Sequence, residues 1–234
     1  MHMDELIQRL WKKGVGCHII NLFLACIFYA DDLCLVAPSR GAMQKMLDVC
    51  SEYCSEFCLT FDVKKSKILL FTKEKDLVID KLLIDGKTLE YAKEGKYLGV
   101  TIVAGTKLTF ASKPALSAFY RSVNCILSAL QKPNELVLIN LLYSNCFPIL
   151  SYAEAIEFPS GEMRDCNTAL NDAIRRIYRY NRWESIRSLR LQLGFPNLYE
   201  AFQRRFDVFI VRNLESSNSV IARTTALYIA ELMG

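Results

Sequence analysis

The stretch ACIFYADDLCLVAPS runs from Ala25 to Ser39 and places two adjacent acids, Asp31 and Asp32, inside an apolar run. An ionised carboxylate among apolar neighbours is costly unless a partner compensates its charge. Two apolar strands interrupted by two acids predict a tight β-hairpin with the acids at its tip, although glycine is more usual in such turns. The acids either form an ordinary exposed turn or hold a cation.

Two carboxylates at the tip of a rigid hairpin suit Mg²⁺ chemistry on phosphates. Mg²⁺ prefers hard oxygen ligands, commonly one or two carboxylates together with water and substrate phosphates. In two-metal catalysis, ions about 4 Å apart activate the attacking oxygen and stabilise the leaving oxygen. The four letters YADD are a weak signal by themselves, so a solvated Asp-Asp turn stays the alternative at this point.

The residues around the hairpin predict an α+β layer. Met3–Lys13 is amphipathic and predicts a helix ending at the glycines that follow it. Residues 17–30 are rich in β-branched and aromatic side chains and predict a strand, with Asn21 as the candidate break. Ser39 is a suitable cap for the next helix. That helix has an apolar stripe at steps of three and four residues, formed by Met43, Met46, Leu47, Cys50, Tyr53, Cys54 and Phe57.

Further strands and then helices follow this layer. Residues 59–73 predict a strand that is polar in its middle, and residues 81–103 predict two or three short strands with a hairpin turn at Asp85-Gly86. The first part of the chain is therefore a helix packed on an antiparallel sheet. From Ser112 onward the pattern is helical, punctuated by Pro133 and Pro148. We place a domain boundary near residue 106, between domains 1–106 and 107–234.

Positive charge is concentrated in the second domain. The formal net charge of +4 arises there, because residues 1–106 hold equal numbers of acidic and basic side chains. Ile174–Arg190 interleaves arginines with tyrosines and a tryptophan, which suits phosphates and unpaired bases. Alternatively, it is a basic amphipathic helix with its aromatic side chains in the core. The arginines predicted to lie close to one helical face and to bind nucleic acid are Arg175, Arg176, Arg179 and Arg182.

The nine cysteines predict reduced thiols in a nuclear or cytoplasmic protein, because the N-terminus does not resemble a signal peptide and an odd count argues against a closed disulfide set. Cys50, Cys54 and Cys58 recur every four residues. Zinc binding is one interpretation, but short zinc motifs usually have tighter pairs, so we favour a buried helical stripe. The longest apolar run, near Ile19–Ala30, is too short to span a bilayer, so no membrane partner is expected.

The motifs together resemble the reverse transcriptases of non-LTR (LINE-type) retrotransposons. FYADDLCLVAPS is similar to their palm hairpin, MQKMLDVCSEYCSEF and LTFDVKKSKILLF to the next palm elements, and KYLGVTI to the primer-grip hairpin. The helical segments NLLYSNCFPILSYAEAIEF and LNDAIRRIYRYNR are similar to those that follow the palm. The resemblance implies an α+β fold, in which a partial polymerase palm precedes a helical thumb-like region.

The resemblance also implies functional roles and partners. Asp31 and Asp32 would be catalytic ligands of Mg²⁺, or of Mn²⁺, and Lys65 would be a catalytic charge near the incoming triphosphate. An RNA template and a DNA primer are the implied partners. Contacts to the primer or nucleotide would come from Tyr29, Tyr97, Leu98 and Gly99.

Departures from the family pattern predict that this chain alone does not polymerise. The family has a third metal-binding Asp on an earlier palm strand, and a fingers region, whereas the acids before the hairpin are Asp4 and Glu5 on a predicted helix. Asp62 stands where the family usually has Asn. Three hypotheses stay open: the C-terminal portion of a polymerase that needs its missing N-terminal half, a non-catalytic nucleic-acid-binding remnant, or a decayed product without function.

Overall fold

The protein divides into two units of different secondary structure. The structure is a computed structural model that describes residues 3–19, 22–74, 80–129, 134–152 and 160–233. One compact unit is Met1–Thr109 and the other is Phe110–Gly234. The predicted α+β class is confirmed, since the described residues of the first unit form short strands and two helices, and helices dominate those of the second. The boundary predicted near residue 106 lies close to this division.

The first unit begins with a helix that ends at glycine, as predicted. Helix α1 spans Met3–Lys12, and Gly14 follows it with a φ of 62° while donating its N–H to the carbonyl of Trp11. A positive φ at this position is the usual left-handed helix end, which glycine adopts without steric cost. Leu6 and Leu10 are fully buried on one face of α1. That face anchors α1 to the core of the unit.

The apolar run that was predicted as a strand with a candidate break at Asn21 contains three short strands among its described residues. Strand β1 is His18–Ile19, β2 is Leu22–Phe23 and β3 is Cys26–Tyr29. Ile19 pairs with Leu22 in an antiparallel ladder, so the chain reverses between β1 and β2. The predicted break at Asn21 lies outside the described residues. The strand prediction is confirmed for the described residues of this run, but the interruption at Leu24 and Ala25 was not predicted, because apolar composition indicates strands without showing where each one ends.

Helix α2, Arg40–Glu56, forms the centre of the unit. The Ser39 hydroxyl accepts a hydrogen bond from the N–H of Ala42 at 3.2 Å, which confirms the predicted cap. Most of the predicted stripe is buried: Met46, Leu47, Cys50, Tyr53 and Cys54. Cys58 departs from it, because the helix has already ended and Cys58 is exposed with a φ of 54°. The buried-stripe interpretation is therefore confirmed for Cys50 and Cys54 and wrong for Cys58.

The remaining strands form short ladders instead of one continuous antiparallel sheet. Their bounds are β4 Asp32–Leu35, β5 Lys67–Leu69, β6 Leu83–Ile84, β7 Lys87–Thr88, β8 Glu90–Ala92, β9 Glu94–Tyr97 and β10 Val100–Val103. Antiparallel ladders join β3 with β4, β6 with β7, and β9 with β10, but β5 and β8 pair in parallel. The antiparallel prediction was wrong for that pair because the long connection between them allows a crossover.

The hairpin of β6 and β7 confirms its predicted turn. Asp85 and Gly86 have φ angles of 50° and 71°, as a two-residue hairpin turn of type I′ requires. Helix α2 holds this hairpin through the side-chain amide of Gln44. That amide donates to the carbonyl of Leu83 at 2.8 Å and accepts from its N–H at 2.9 Å. The amide thus bonds the backbone of β6 as a neighbouring strand would.

The second unit is a helical assembly around its own core. Strand β11, Thr109–Ala111, begins at the last residue of the first unit and precedes the helices of the second unit. The α-helices described in the second unit are α3 Lys113–Ala129, α4 Glu135–Leu141, α5 Phe147–Ser151, α6 Ser160–Tyr178, α7 Arg187–Leu193, α8 Leu198–Leu214 and α9 Ser219–Met233. The core includes Phe119, Leu142, Leu170, Ile174 and Leu198.

The proline predictions have different outcomes. Pro133 lies outside the described residues. Pro148 was predicted to interrupt the helices, but it lies in a continuous helical run as the second residue of α5, directly after the π-helical turn Leu142–Cys146. In that turn the N–H of Phe147 bonds the carbonyl of Leu142. A wider turn of this kind accommodates the missing proline N–H without ending the helix.

Gly16→Ala should unfold the first unit more readily. Gly16 has a φ of 110°, and a Cβ atom there would lie 2.1 Å from the Cβ of buried Ala25. Strain and overpacking together should lower the free energy of unfolding by about 3 kcal/mol, measured by urea denaturation. Gly14→Ala is the matched control, because no heavy atom lies within 4 Å of its added Cβ, and it should cost only about 1 kcal/mol. Equal losses for the two variants would contradict the close approach.

Glu56→Gln should make the thermal stability of the protein less sensitive to acid. Arg9 donates to Glu56 at 2.6 Å and to Glu5 at 2.5 Å, and the first bond lowers the pKa of Glu56. A lowered folded pKa stabilises the protein above the unfolded pKa of about 4.3, and this effect is lost as pH falls through the folded value. The thermal midpoint of the variant should therefore fall less between about pH 5 and pH 3 than that of the parent.

The control for this comparison is Glu52→Gln, which alters an exposed acid on the same helix. The thermal midpoint of this control should fall with pH as steeply as that of the parent protein. An unchanged profile in Glu56→Gln would show that the pair with Arg9 does not contribute to stability.

Candidate functional site

The hairpin of β3 and β4 carries the two candidate metal ligands. Tyr29 pairs with Asp32 across the ladder, so Ala30 and Asp31 are the two turn residues. The prediction that both acids form the tip is corrected, because Asp32 is the first residue of β4. Ala30 has a φ of 54° and Asp31 does not have a positive φ. A positive φ at the first turn position alone is the pattern of a type II′ turn, in which glycine is usual.

Alternation along the two strands divides the hairpin into a core face and an open face. Phe28 and Leu33 are a cross-strand pair and pack against the core below α2. The neighbouring pair, Tyr29 and Asp32, therefore lies on the opposite face, where Tyr29 is 65% exposed. We call the side of the hairpin that faces away from the core the open face. It consists of Ile27, Tyr29, Asp32 and Cys34.

Both carboxylates are available to a ligand. Asp31 and Asp32 are exposed, and neither makes a hydrogen bond or ion pair with another residue in the described ranges. Within those ranges, no group of three or more His, Cys, Asp or Glu side chains is arranged to hold a metal. Two adjacent hard oxygen donors fit Mg²⁺ or Mn²⁺ as a partial ligand set, which substrate phosphates and water complete.

The hairpin of β9 and β10 lies beside the open face. Tyr97 pairs with Val100, and Leu98 and Gly99 form the turn with φ angles of 47° and 83°. The Tyr97 hydroxyl donates a hydrogen bond to the carbonyl of Ile27 on β3 at 3.4 Å. Desolvation raises the pKa of Tyr97, and the nearby Cys34 and Asp32 contribute to the same shift. Tyr97 thus links the predicted primer-grip hairpin to the strand that leads to Asp31.

Lys65 lies in a turn, and the strand predicted over residues 59–73 is limited to β5. The carboxylate of Asp62 accepts the N–H groups of Lys64 and Lys65, at 3.1 and 3.3 Å, and pairs with the Lys65 ammonium at 3.4 Å. Desolvation alone would raise the pKa of Asp62, but the bonds and charge of Lys65 lower it. The Lys65 side chain is 88% exposed. No hydrogen bond or ion pair among the described residues joins it to the acids of the hairpin.

The turn explains why aspartate is compatible with position 62. Asn and Asp side chains both accept backbone N–H groups two residues further on, so either residue can form this turn. The departure from the family pattern noted at Asp62 therefore leaves the local structure intact. The strand prediction was wrong because side-chain bonds to the backbone compete with a sheet ladder.

The four candidate arginines of the second unit do not share a helical face. Helix α6 ends at Tyr178, and Arg179 follows with a φ of 57°, so Arg179 and Arg182 lie beyond the helix. Arg175 is largely buried; it donates to Asp172 at 2.8 Å and to the carbonyl of Glu184 at 3.0 Å. Arg176 bonds Asn124 at 2.9 Å. The shared-face prediction is corrected because the chain turns after Tyr178.

Two features of these regions are not evident from the motifs alone. Trp183 is 84% exposed, although Ile186 nearby is buried, so the tryptophan is not a core residue. Its position between Arg182 and Glu184 is the only sequence signal for this exposure. The left-handed φ of Ala30 has no sequence signal, because alanine is not a residue that favours it.

Comparison with protein families gives a match for the first part of the chain. Residues 1–102 match the family described as reverse transcriptase (RNA-dependent DNA polymerase). The reverse transcriptase match supports a domain of this kind in the first unit, and it includes both acids of the hairpin, Lys65 and the turn at Leu98-Gly99. The activity in that family description, RNA-dependent DNA polymerase, is one that uses nucleic acids as substrates. No curated protein matches the chain. Within the described ranges, each helix is too short or too polar to cross a membrane.

Tyr97→Phe should destabilise the first unit slightly. It removes the hydroxyl that bonds the Ile27 carbonyl, and the free energy of unfolding should fall by about 0.5–1 kcal/mol in urea denaturation. The matched control is Tyr29→Phe, whose exposed hydroxyl makes no hydrogen bond with the described residues, and its stability should not change. An equal effect in both variants would show that the two hairpins are not joined through Tyr97.

Proposed function

We propose that this chain is the C-terminal palm and thumb portion of a non-LTR retrotransposon reverse transcriptase, and that it does not polymerise DNA alone. The observation that carries the proposal is the exposed pair formed by Asp31 in the hairpin turn and Asp32 at the start of β4, within residues that match the family. The partners of such a protein are an RNA template, a DNA primer and the remaining polymerase half. Its location is the nucleus or the cytoplasm.

Asp31 and Asp32 would hold Mg²⁺ in this function. When bound, the ion neutralises phosphate charge and activates the attacking oxygen. Tyr29 lies opposite Asp32 on the open face, where its ring can contact a primer or nucleotide. Leu98 and Gly99 form the neighbouring turn, and Tyr97 holds that hairpin next to the site. Lys65 is exposed, and its ion pair among the described residues is with Asp62, so its ammonium can be recruited to a triphosphate.

The inactivity proposed for the isolated chain follows from its ligand set. The acids that precede the hairpin lie on α1, and Glu5 there is bonded to Arg9. Loss of one key electrostatic group typically lowers a catalytic rate by about 10²–10³. A site with two carboxylates also leaves the ions less neutralised than a site with three. The chain therefore has part of a polymerase site and needs the other part from elsewhere.

A primer-extension assay tests the inactivity of the chain. The purified protein, supplied with a primed RNA or DNA template, nucleotides and Mg²⁺, should incorporate nothing above the level of an Asp31→Asn/Asp32→Asn variant. Mn²⁺ in place of Mg²⁺ should give the same result. Extension that requires the divalent ion and is lost in the double variant would overturn this part of the proposal.

Metal binding is tested separately from catalysis. The Asp31→Asn/Asp32→Asn variant should lower the affinity for Mn²⁺, measured by electron paramagnetic resonance of the free ion, by about tenfold, because the cation loses its anionic ligands. Asp85→Asn is the matched control, since Asp85 is also an exposed acid in a two-residue hairpin turn. Equal Mn²⁺ affinity in the parent and the double variant would rule out the hairpin as the metal site.

A second candidate function is nucleic-acid binding without catalysis. It is favoured by the exposed Arg179, Arg182 and Trp183 in the second unit, which do not depend on a metal. A decayed product without function is the remaining alternative. A cooperative thermal transition of soluble monomer would count against that alternative, because a decayed chain is expected to expose sheet edges and aggregate.

A further inference from the structure

The connection between α6 and α7 presents an exposed aromatic surface on a braced turn. Trp183 is 84% exposed and Tyr180 is 41% exposed, whereas Ile186 at the end of the turn is 3% exposed. A large apolar side chain loses favourable free energy when it stays in water. Because Trp183 is exposed beside a buried anchor, its ring is accessible to a ligand while the turn that carries it stays attached to the core.

Internal hydrogen bonds hold this turn in place. Arg175, which is paired with Asp172, donates from Nε to the carbonyl of Glu184. The Glu184 carboxylate in turn accepts the N–H of Asn181, and the N–H of Tyr180 bonds the carbonyl of Arg175. Trp183 is consequently presented by a backbone that is already ordered, which reduces the entropy lost on binding a ligand.

The charge around Trp183 is positive and uncompensated. Arg179, Arg182 and Arg187 are exposed, and none of them forms an ion pair with a residue in the described parts of the chain. Glu184 is the acid within this stretch, and its carboxylate is directed to the backbone of Asn181. An anionic ligand is therefore attracted to the turn without displacing an existing pair.

We propose that residues 179–187 bind single-stranded nucleic acid, with Trp183 stacking on an unpaired base and Arg179 and Arg182 binding the flanking phosphates. Base stacking on an aromatic ring combined with arginine–phosphate contacts is the common chemistry of single-strand binding. A duplex fits less well because its bases are already stacked on each other. The surface lies outside the matched residues 1–102 and does not require a metal. The inference rests on the second candidate function, nucleic-acid binding without catalysis, and gives that function a site and a preference for unpaired strands.

Intrinsic fluorescence gives a direct test, because the chain has only two tryptophans, Trp11 and Trp183. In the full chain carrying Trp11→Phe, the signal comes from Trp183 alone. Titration with oligothymidylate of about 12 nucleotides, within the usual site size, should quench this signal in the presence of EDTA. A blunt duplex of equal length should quench it much less.

Variants then separate stacking from charge, using anisotropy of a labelled oligonucleotide. Trp183→Ala should weaken binding by about fivefold or more, and Trp183→Phe should restore part of the loss. Arg179→Ala/Arg182→Ala should reduce the slope of log affinity against log salt by about 1.4, as expected for two phosphate contacts on a single strand. Arg164→Ala/Arg223→Ala is the control of equal charge, with both residues exposed elsewhere in the second unit, and should leave the slope nearly unchanged.

Three results would overturn the inference: unquenched Trp183 fluorescence, equal affinity for duplex and single strand, or an equal loss of slope in the control variant. Quenching by polyglutamate but not by the oligonucleotide would instead assign the surface to an acidic protein partner. Because EDTA removes divalent ions, these outcomes are independent of metal binding at Asp31 and Asp32. Failure of the polymerase proposal would leave them unchanged.

Discussion

The alternation of side chains along one short hairpin determines the arrangement of the candidate site. Phe28 and Leu33 face the core under α2, and this requires Tyr29 and Asp32 to face the other way. A shift of one residue in the pairing would bury the acid and expose the apolar pair, at a large cost in free energy. The apolar face of the hairpin therefore orients the carboxylate that a metal would bind.

Tight turns maintain this register. Each of three hairpins in the first unit reverses within two residues, and a residue with positive φ occupies each reversal: Ala30, Asp85 or Leu98. Non-glycine residues in this conformation carry strain of about 1 kcal/mol or more, which the paired strands and the core must offset. Strain of this kind is often found at functional sites. At Ala30 the strained residue lies directly before the two carboxylates, so the strain coincides with the candidate site.

The second unit shows how arginines of one sequence segment take different roles. Arg175 is largely buried and braces the turn that follows α6, while Arg179 and Arg182 lie on the exposed side of that turn. Bracing and binding are complementary, because an ordered backbone presents the exposed side chains at a lower entropic cost. The unit also has a core of its own, so this surface does not depend on the hairpin that carries the acids.

Local sequence signals were sufficient for several elements. The cap at Ser39, the turn at Asp85-Gly86 and the helix end at Gly14 were predictable, because each depends on the chemistry of one or two residues. The hairpin containing Asp31 and Asp32 was predictable for a related reason, since two acids within an apolar run can hardly lie in the middle of a buried strand.

Tertiary structure alone determined the features that depend on distant residues or on competition between local bonds. The parallel pairing of β5 with β8 and the hydrogen bond from Tyr97 to Ile27 cannot be read from the neighbouring residues in the sequence. Pairing partners and burial arise from the packing of the whole unit, whereas caps and turns arise from a few adjacent backbone groups. The sequence by itself therefore located the acids and their hairpin, and only the fold determined which side chains surround them.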